Sequence, residues 1–253
     1  MVGIDHKRIK VLVITLISLI LGVTQTLGAK WPLVLKEVKD KGAKFEENVK
    51  DMTVMEETEM FLPEGKIASK TKILVKGKKF RAETTILMSQ ALQVPEGMGE
   101  MKTIVIYDDK DMWVISPLLG KKRLSPKEKK GYRIERNWWD WVSEAAEIVA
   151  TERVRECECY VVKIKEKEAP ANKIWLDKKT FDLIKVETEL KKGRRCFMVY
   201  SDFRGIEGGW RMPHKSEIYE GEKLVAISII KSIEVNKGLS DDLFNPNLLK
   251  NSD

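Results

Sequence analysis

The chain has 253 residues, of which 43% are hydrophobic and 34% are charged, with 46 Lys and Arg against 39 Asp and Glu. The apolar fraction is too high for an intrinsically disordered chain, and the two His and three Cys stand at no metal-ligand spacing, so we predict no metal site. Lys alternates with Glu along most of the sequence instead of forming one basic face, and we therefore predict no nucleic-acid partner.

Residues 1–29 are laid out like a secretory signal. Three basic residues within 7–10 precede an apolar run over 11–23, and the small residues Gly28 and Ala29 end the segment. The apolar run is shorter than the ~20 residues that span a bilayer. We predict a signal peptide at 1–29, followed by a single domain at 30–253 that lies outside the cytoplasm. A retained N-terminal membrane anchor is the alternative.

The segment 31–50 has the pattern of an amphipathic helix. It begins with Trp-Pro and is weakened by Gly42, because glycine is a poor helix former. Its apolar positions include Leu33, Val34, Val38 and Phe45.

From residue 53 the apolar residues alternate with polar ones, which predicts β-strands joined by short turns. The predicted strands are 53–62, 66–75, 79–88, 102–107, 112–116, 153–165, 173–177, 183–190, 194–203, 211–219 and 223–235. Within the third strand, Phe80 and Arg81 fall on opposite faces. The basic cluster at 121–130 is interpreted as a loop, which would also suit contact with anionic lipid headgroups.

A second helix is predicted over 138–150, with Asn137 as its N-cap. Trp138, Trp141 and Val142 share one stripe of this helix, and Trp139 lies beside it. Three indoles within four residues cannot all point into one core, so some should face a cavity or the surface. About eleven antiparallel strands with a leading and an inserted helix predict a mainly β (α+β) fold, built as a single curved sheet or barrel.

Several motifs resemble, in order and spacing, those of the LolA-like periplasmic lipoprotein-sorting proteins. They begin with GKKFRAE at 77–83 and IVIYDDKDMWV at 104–114, followed by Pro117. They continue with CYVV at 159–162, IWLD at 174–177, GWRMPH at 209–214 and LSDDLFNP at 239–246. The resemblance covers about residues 31–246, although Asp109 stands where the family has a turn glycine.

The resemblance implies an unclosed antiparallel β-barrel whose open face is covered by a helical lid. It also implies a periplasmic, non-catalytic and monomeric chaperone that carries lipid or the acyl chains of lipoproteins between membranes. An inner-membrane transporter and a membrane acceptor would then be its partners, and no cofactor is expected. The alternative, taken from RseB-like members of the same fold, is a sensor or scaffold that binds a protein partner in the envelope.

Ten Met, seven Trp and seven Phe would suit an adaptable apolar cleft, although most of them could equally be core residues. The residues predicted to contact lipid are Phe80, Trp113, Trp138, Trp139, Trp141 and Val142. In LolA-like proteins an arginine on an early strand bonds lid carbonyls and keeps the empty protein closed. Arg81 is the candidate for this latch, and a surface arginine paired with Glu83 is the alternative.

The cysteines allow two interpretations. Cys157 and Cys159 share one face of a strand, and an oxidising compartment would permit a disulfide from either of them to Cys196, with Cys159–Cys196 as the pairing we predict. Three simple buried thiols are the alternative. His214 is the only histidine after residue 29, and neither a G-x-S-x-G nor an H-E-x-x-H motif accompanies it, so we predict no catalytic residues and no enzymatic activity.

Overall fold

The computed structural model describes residues 30–87, 100–129, 137–166, 169–189 and 193–249. The predicted signal peptide at 1–29 lies outside the described residues. The helices are α1, Trp31–Asn48, and the short α2, Pro126–Lys129. The strands are β1 Asp51–Leu62, β2 Gly65–Lys76, β3 Lys79–Leu87, β4 Glu100–Tyr107, β5 Met112–Ser116, β6 Gly120–Arg123, β7 Glu147–Val154, β8 Cys157–Lys163, β9 Lys173–Asp177, β10 Leu183–Glu189, β11 Arg195–Gly205, β12 Arg211–Glu220 and β13 Lys223–Val235.

All thirteen strands belong to one antiparallel sheet, in the order β6-β5-β4-β3-β2-β1-β13-β12-β11-β10-β9-β8-β7. The chain starts in the middle of the sheet with β1 and meanders outward to the edge strand β6. It then crosses to the opposite edge at β7 and meanders back, so that β13 pairs with β1. Within the described residues β6 and β7 are not paired with each other, so the sheet is unclosed. The predicted mainly β, unclosed architecture is confirmed, with thirteen strands instead of about eleven.

The prediction of a helix over 138–150 is wrong. Only Trp138–Trp141 is helical, as a single 3₁₀ turn, and Val142 already has extended backbone with φ −111° and ψ 134°. Glu147–Val154 is the edge strand β7, which pairs with β8. Pairing with a neighbouring strand overrides the helical spacing of the apolar residues here, because the β-branched residues of this segment also suit a strand.

Two strand predictions also need correction. The single strand predicted over 153–165 is a hairpin of β7 and β8 that turns at Arg155, whose φ is 53°. The basic run Lys121-Lys122-Arg123, predicted to be a loop, lies in β6. Its backbone pairs with β5, with Arg123 opposite Trp113, and this edge position lets the long basic side chains remain in water.

The two faces of the sheet have different coverings. The helix face, as we call the face on which α1 lies, carries a core formed with strands β7 to β11, including Val38 of α1 and Ile174, Leu176 and Val186 of the sheet. The outer face of β4 and β5 carries a smaller core of Ile104, Ile106 and Ile115, against which Leu249 packs. The C-terminal residues therefore cover part of the outer face.

The close approach of α1 to the crossover between β6 and β7 depends on a glycine. A Cβ atom on Gly42 would lie 2.6 Å from Cδ1 of Trp139, which is inside van der Waals contact. Trp31 Nε1 donates a hydrogen bond to the Ser143 carbonyl (3.0 Å), and Lys39 Nζ donates one to the Trp139 carbonyl (2.6 Å). The crossover is thus held against one side of α1, and Gly42, which lowers the helix propensity of α1, is what allows this packing.

We expect Gly42→Ala to destabilise the protein even though alanine is the better helix former. The added methyl group must displace the buried Trp139 ring, and overpacking of this kind costs about 1–3 kcal/mol, against a gain of at most about 1 kcal/mol in helix propensity. Urea denaturation should show a lower free energy of unfolding. Gly205→Ala is the matched control, because no heavy atom lies within 4 Å of its Cβ position. A Gly42→Ala variant as stable as the parent would contradict this packing argument.

Candidate functional site

A cavity of about 700 Å³ lies between the C-terminal half of α1, the crossover and one end of the central strands. This volume is typical of sites that bind small molecules. The apolar residues around it are Val38, Phe45, Val49, Met52, Val75, Phe80, Trp138, Trp139, Phe181, Leu183, Tyr200, Phe203, Trp210, Met212 and Pro213. They come from α1, six strands and four connecting segments, so only the folded chain brings them together.

Aromatic rings form one wall of the cavity. The centroid of Trp139 lies 5.5 Å from that of Phe45, 5.2 Å from that of Trp210 and 5.9 Å from that of Trp138. The Phe45 and Trp210 centroids are 5.1 Å apart. These are the tilted and edge-to-face arrangements that aromatic pairs prefer, and they give the wall a defined apolar surface.

Hydrogen bonds fix this wall to α1. The Glu46 carboxylate accepts one from Trp139 Nε1 (3.2 Å) and another from Asn137 Nδ2 (3.0 Å). Asn137, predicted to cap a helix, makes no side-chain capping bond and uses its amide to hold α1 instead. The indole N–H is therefore satisfied on the helix side while its ring faces the cavity.

A buried carboxylate stabilises a second wall. Asp182 is only 7% exposed and forms ion pairs with Lys41 Nζ (3.2 Å) and Arg211 Nη1 (3.0 Å). Lys41 also lies over the Trp210 ring, 5.3 Å from its centroid. Since a buried charge is tolerated only when paired, this cluster joins α1 to β12 without leaving an unpaired buried charge.

Tyr200 belongs to the sheet side of the cavity. Burial, together with the nearby Glu56 carboxylate, raises the pKa of its phenol to about 12. The hydroxyl is therefore neutral throughout the physiological range and offers a hydrogen-bond donor instead of a charge.

The structure brings together only part of the predicted lipid-contacting set. Phe80, Trp138 and Trp139 line the cavity. Trp141 and Val142 pack into the core on the helix face and do not line it, and Val142 is 2% exposed.

Trp113 has to be removed from the set. It lies on the outer face beside Ile106 and Ile115, where Lys121 stacks over its ring at 5.6 Å. The prediction erred here because the aromatic residue was chosen from a motif without regard to which face of its strand it occupies.

Several cavity residues were missed by the sequence reasoning. Phe45 was visible as part of the apolar stripe of the predicted helix, and Trp210 stood in the GWRMPH motif, so both carried a signal. Met212 stood in the same motif. Phe181 carried no signal, since it lies in the segment between β9 and β10 and its place at the cavity depends on the order of the strands in the sheet.

Arg81 is buried on the outer face, not at the cavity. Its Nη1 donates to the Leu243 carbonyl (2.8 Å), and its Nη2 lies 2.8 Å from the Glu83 carboxylate. Leu243 belongs to the 3₁₀ turn Asp241–Phe244, so Arg81 fastens this C-terminal segment to β3. The expected latch geometry is corrected accordingly, and the pairing with Glu83 is confirmed.

The three cysteines are free. Strands β9 and β10 lie between β8, which carries Cys159, and β11, which carries Cys196, so the predicted disulfide does not form in this structure. Burial raises the pKa of the Cys159 thiol to about 12, which keeps it protonated and unreactive.

Within the described residues no group of three or more His, Cys, Asp or Glu side chains could hold a metal ion. His214 is 7% exposed, and its Nδ1 lies 3.1 Å from the Met212 carbonyl oxygen. No helix in the described part of the chain is long and apolar enough to cross a bilayer.

We expect Arg81→Ala to lower stability and to leave ligand affinity at the cavity unchanged. The substitution leaves the Leu243 carbonyl without its donor, and losing a hydrogen bond to a charged group costs about 1.5–3 kcal/mol. Thermal unfolding measures the stability, and titration of the same preparation with the uncharged fluorescent probe 1-N-phenylnaphthylamine measures the affinity at the cavity. A large change in affinity at constant stability would instead restore the latch interpretation.

Comparison with known proteins places the fold. A family model described only as an uncharacterized protein matches residues 92–251, more than half of the chain. No curated protein sequence matches.

Solved structures match with low identity and nearly complete coverage. A domain described as an outer membrane lipoprotein-sorting protein, from Vibrio parahaemolyticus, has a TM-score of 0.61 at 18% identity, covering 85% of this chain and 97% of its own. A DUF1329 family protein from Desulfovibrio piger has a TM-score of 0.61 at 17% identity, covering 87% of this chain and 98% of its own. A LolA superfamily protein from Nitrosomonas europaea has a TM-score of 0.55 at 16% identity, covering 86% of this chain and 98% of its own. The fold is therefore LolA-like, as the sequence motifs indicated.

Proposed function

The chain belongs to the family of uncharacterized proteins whose model covers residues 92–251, and from this premise and its LolA-like fold we propose that it is a carrier of lipid or of acylated protein. The observation that carries the proposal is the aromatic-lined cavity of about 700 Å³ in a fold shared with a lipoprotein-sorting domain. An acyl chain gains about 0.8 kcal/mol per methylene removed from water, so a carrier that crosses an aqueous space needs such a cavity.

The aromatic residues around the cavity would form the contact surface for the acyl chain. Phe80 from β3 and Trp138 and Trp139 from the crossover border the same cavity and would contact the acyl chain from opposite sides. Trp139 is held by Glu46 and by its packing on Gly42, so this part of the wall is formed before any ligand enters. A preformed wall reduces the ordering cost of binding.

The finer parts of the proposal concern the cellular setting. The chain would enter the cell envelope through the segment 1–29, which has the layout of a secretory signal. There it would take cargo from a membrane transporter and deliver it to a membrane acceptor as a monomer and without catalysis. The description of the Vibrio parahaemolyticus neighbour as a lipoprotein-sorting protein domain supports this general class of activity.

Phe80→Glu tests the proposal directly. A carboxylate at this position places a charge against the apolar ligand, and an unpaired buried charge costs several kcal/mol. We expect the affinity for 1-N-phenylnaphthylamine, an uncharged fluorescent probe, to fall at least about tenfold, which is about 1.4 kcal/mol.

Thr85→Glu is the matched control, because Thr85 lies on the same strand with its side chain on the outer face, where it pairs with Lys70 and Lys102. The control should bind the probe like the parent. A folded Phe80→Glu variant with parental affinity would remove the cavity from the binding site, and a parent that binds neither the probe nor any lysolipid would refute the carrier function.

A further inference from the structure

Two rows of polar side chains cross the helix face next to the cavity, and one of them ends at Tyr200 of the cavity wall. In an antiparallel sheet, residues opposite each other across a strand pair share a face, so the register defines each row. One row runs from Glu56 in β1 to Thr71 in β2 and Thr84 in β3. The other row consists of Ser69, Thr58, Ser228, Ser216 and Tyr200. We call these two rows of hydroxyl and carboxylate groups the polar rows.

The rows nearer the cavity are apolar, so the polar rows are a distinct zone. Met52, Val75 and Phe80 form the row that borders the cavity, and Val54, Ile73 and Ala82 form the next. Glu56 follows Met52 by four residues, which corresponds to about 13 Å along a strand. A single elongated molecule can therefore reach from the cavity to the polar rows.

The polar rows are not simply a solvated surface. Ser69 is 8% exposed and Ser228 is 7% exposed. The hydroxyl oxygens of Thr58 and Ser228 are 2.6 Å apart, and those of Thr71 and Thr84 are 3.1 Å apart. Hydroxyl groups in such pairs retain free lone pairs, so they can still accept hydrogen bonds from a ligand.

Glu56 differs from the other glutamates of its strand. Glu57 and Glu59 point to the outer face, where Glu57 pairs with Lys231 (3.0 Å) and Lys70 (3.6 Å) and Glu59 pairs with Lys66 (3.6 Å). Glu56 points to the helix face and is half-buried, and no lysine or arginine of the described residues forms an ion pair with it. On this face Glu56 lies opposite Thr71 of β2 on one side and Ile230 of β13 on the other, with Thr58 two residues further along β1.

We propose that Glu56 and the hydroxyl groups of the polar rows bind a primary ammonium group of the cargo while the acyl chain fills the cavity. This assignment rests on the carrier function proposed above. An ammonium group carries three N–H donors and no acceptor, which matches one carboxylate with hydroxyl groups beside it on the same face, those of Thr71 across the strand pair and Thr58 along β1. Charge-assisted hydrogen bonds of this kind are stronger than neutral ones, whereas an anionic headgroup would be repelled by Glu56.

A primary ammonium group can come from two sources, an ethanolamine headgroup or a lysine side chain of an acylated peptide. Two matched pairs of ligands distinguish them. The lipid pair is palmitoyl lysophosphatidylethanolamine and palmitoyl lysophosphatidylglycerol. The peptide pair is N-palmitoyl-Gly-Lys-amide and the same compound with acetyllysine. Each is titrated by calorimetry below its micelle concentration.

The parent should bind the ammonium-bearing member of at least one pair about tenfold more tightly, and the pair that shows the preference identifies the source. Glu56→Gln keeps the size of the side chain and removes its charge, so it should abolish the preference. The affinity for the ammonium-bearing member should fall, that for the neutral acetyllysine compound should stay unchanged, and that for the anionic lysophosphatidylglycerol should rise because its repulsion by Glu56 is removed. Glu59→Gln, on the outer face of the same strand, should retain the preference. Circular dichroism establishes that both variants are folded.

Equal affinity for both members of each pair in the parent, or a preference that survives Glu56→Gln, would overturn the ammonium site and leave the carrier function standing. A folded parent that binds none of the four amphiphiles would refute the carrier function itself. The two proposals therefore fail in different ways.

Discussion

A sheet of thirteen strands has more apolar surface on one face than a single helix can cover. At about 4.8 Å per strand spacing the sheet is about 58 Å wide, whereas the 18 residues of α1 form a rod about 27 Å long and about 10 Å thick. The helix covers strands β7 to β11 with its apolar side. The helix leaves the apolar surface of the sheet near its own C-terminal half uncovered, and the cavity lies there.

The unclosed topology supplies the other wall. Because the chain reaches both edges of the sheet in turn, it has to cross from β6 to β7, and this crossover carries Trp138 and Trp139 to the cavity. It is held by side-chain contacts with α1, above all the packing of Trp139 on Gly42, and not by the strand ladder. The cavity and the polar rows beyond it together give the helix face an apolar end and a polar zone, which suits an amphiphilic molecule better than a purely apolar one.

Alternation and turn residues were enough to predict α1, most strands and the opposite orientations of Phe80 and Arg81, because these depend on local periodicity. The 138–150 segment was misjudged because its tryptophans and alanines also fit helical spacing, whereas pairing with β8 makes its end, from Glu147 onward, a strand. Phe181 could not be assigned to the cavity, nor Arg81 to the C-terminal turn, since both depend on which strands become neighbours. The polar rows became visible only through the register of β1 with β2 and β13.

The central claim is that the cavity holds an amphiphilic ligand in the cell. Native mass spectrometry of the protein purified from its own organism, without detergent, tests it most directly. The account predicts a bound species whose mass, after release and fragmentation, is that of a lipid or an acylated peptide. A folded protein that carries no such ligand and instead co-purifies with a stoichiometric protein partner would contradict it.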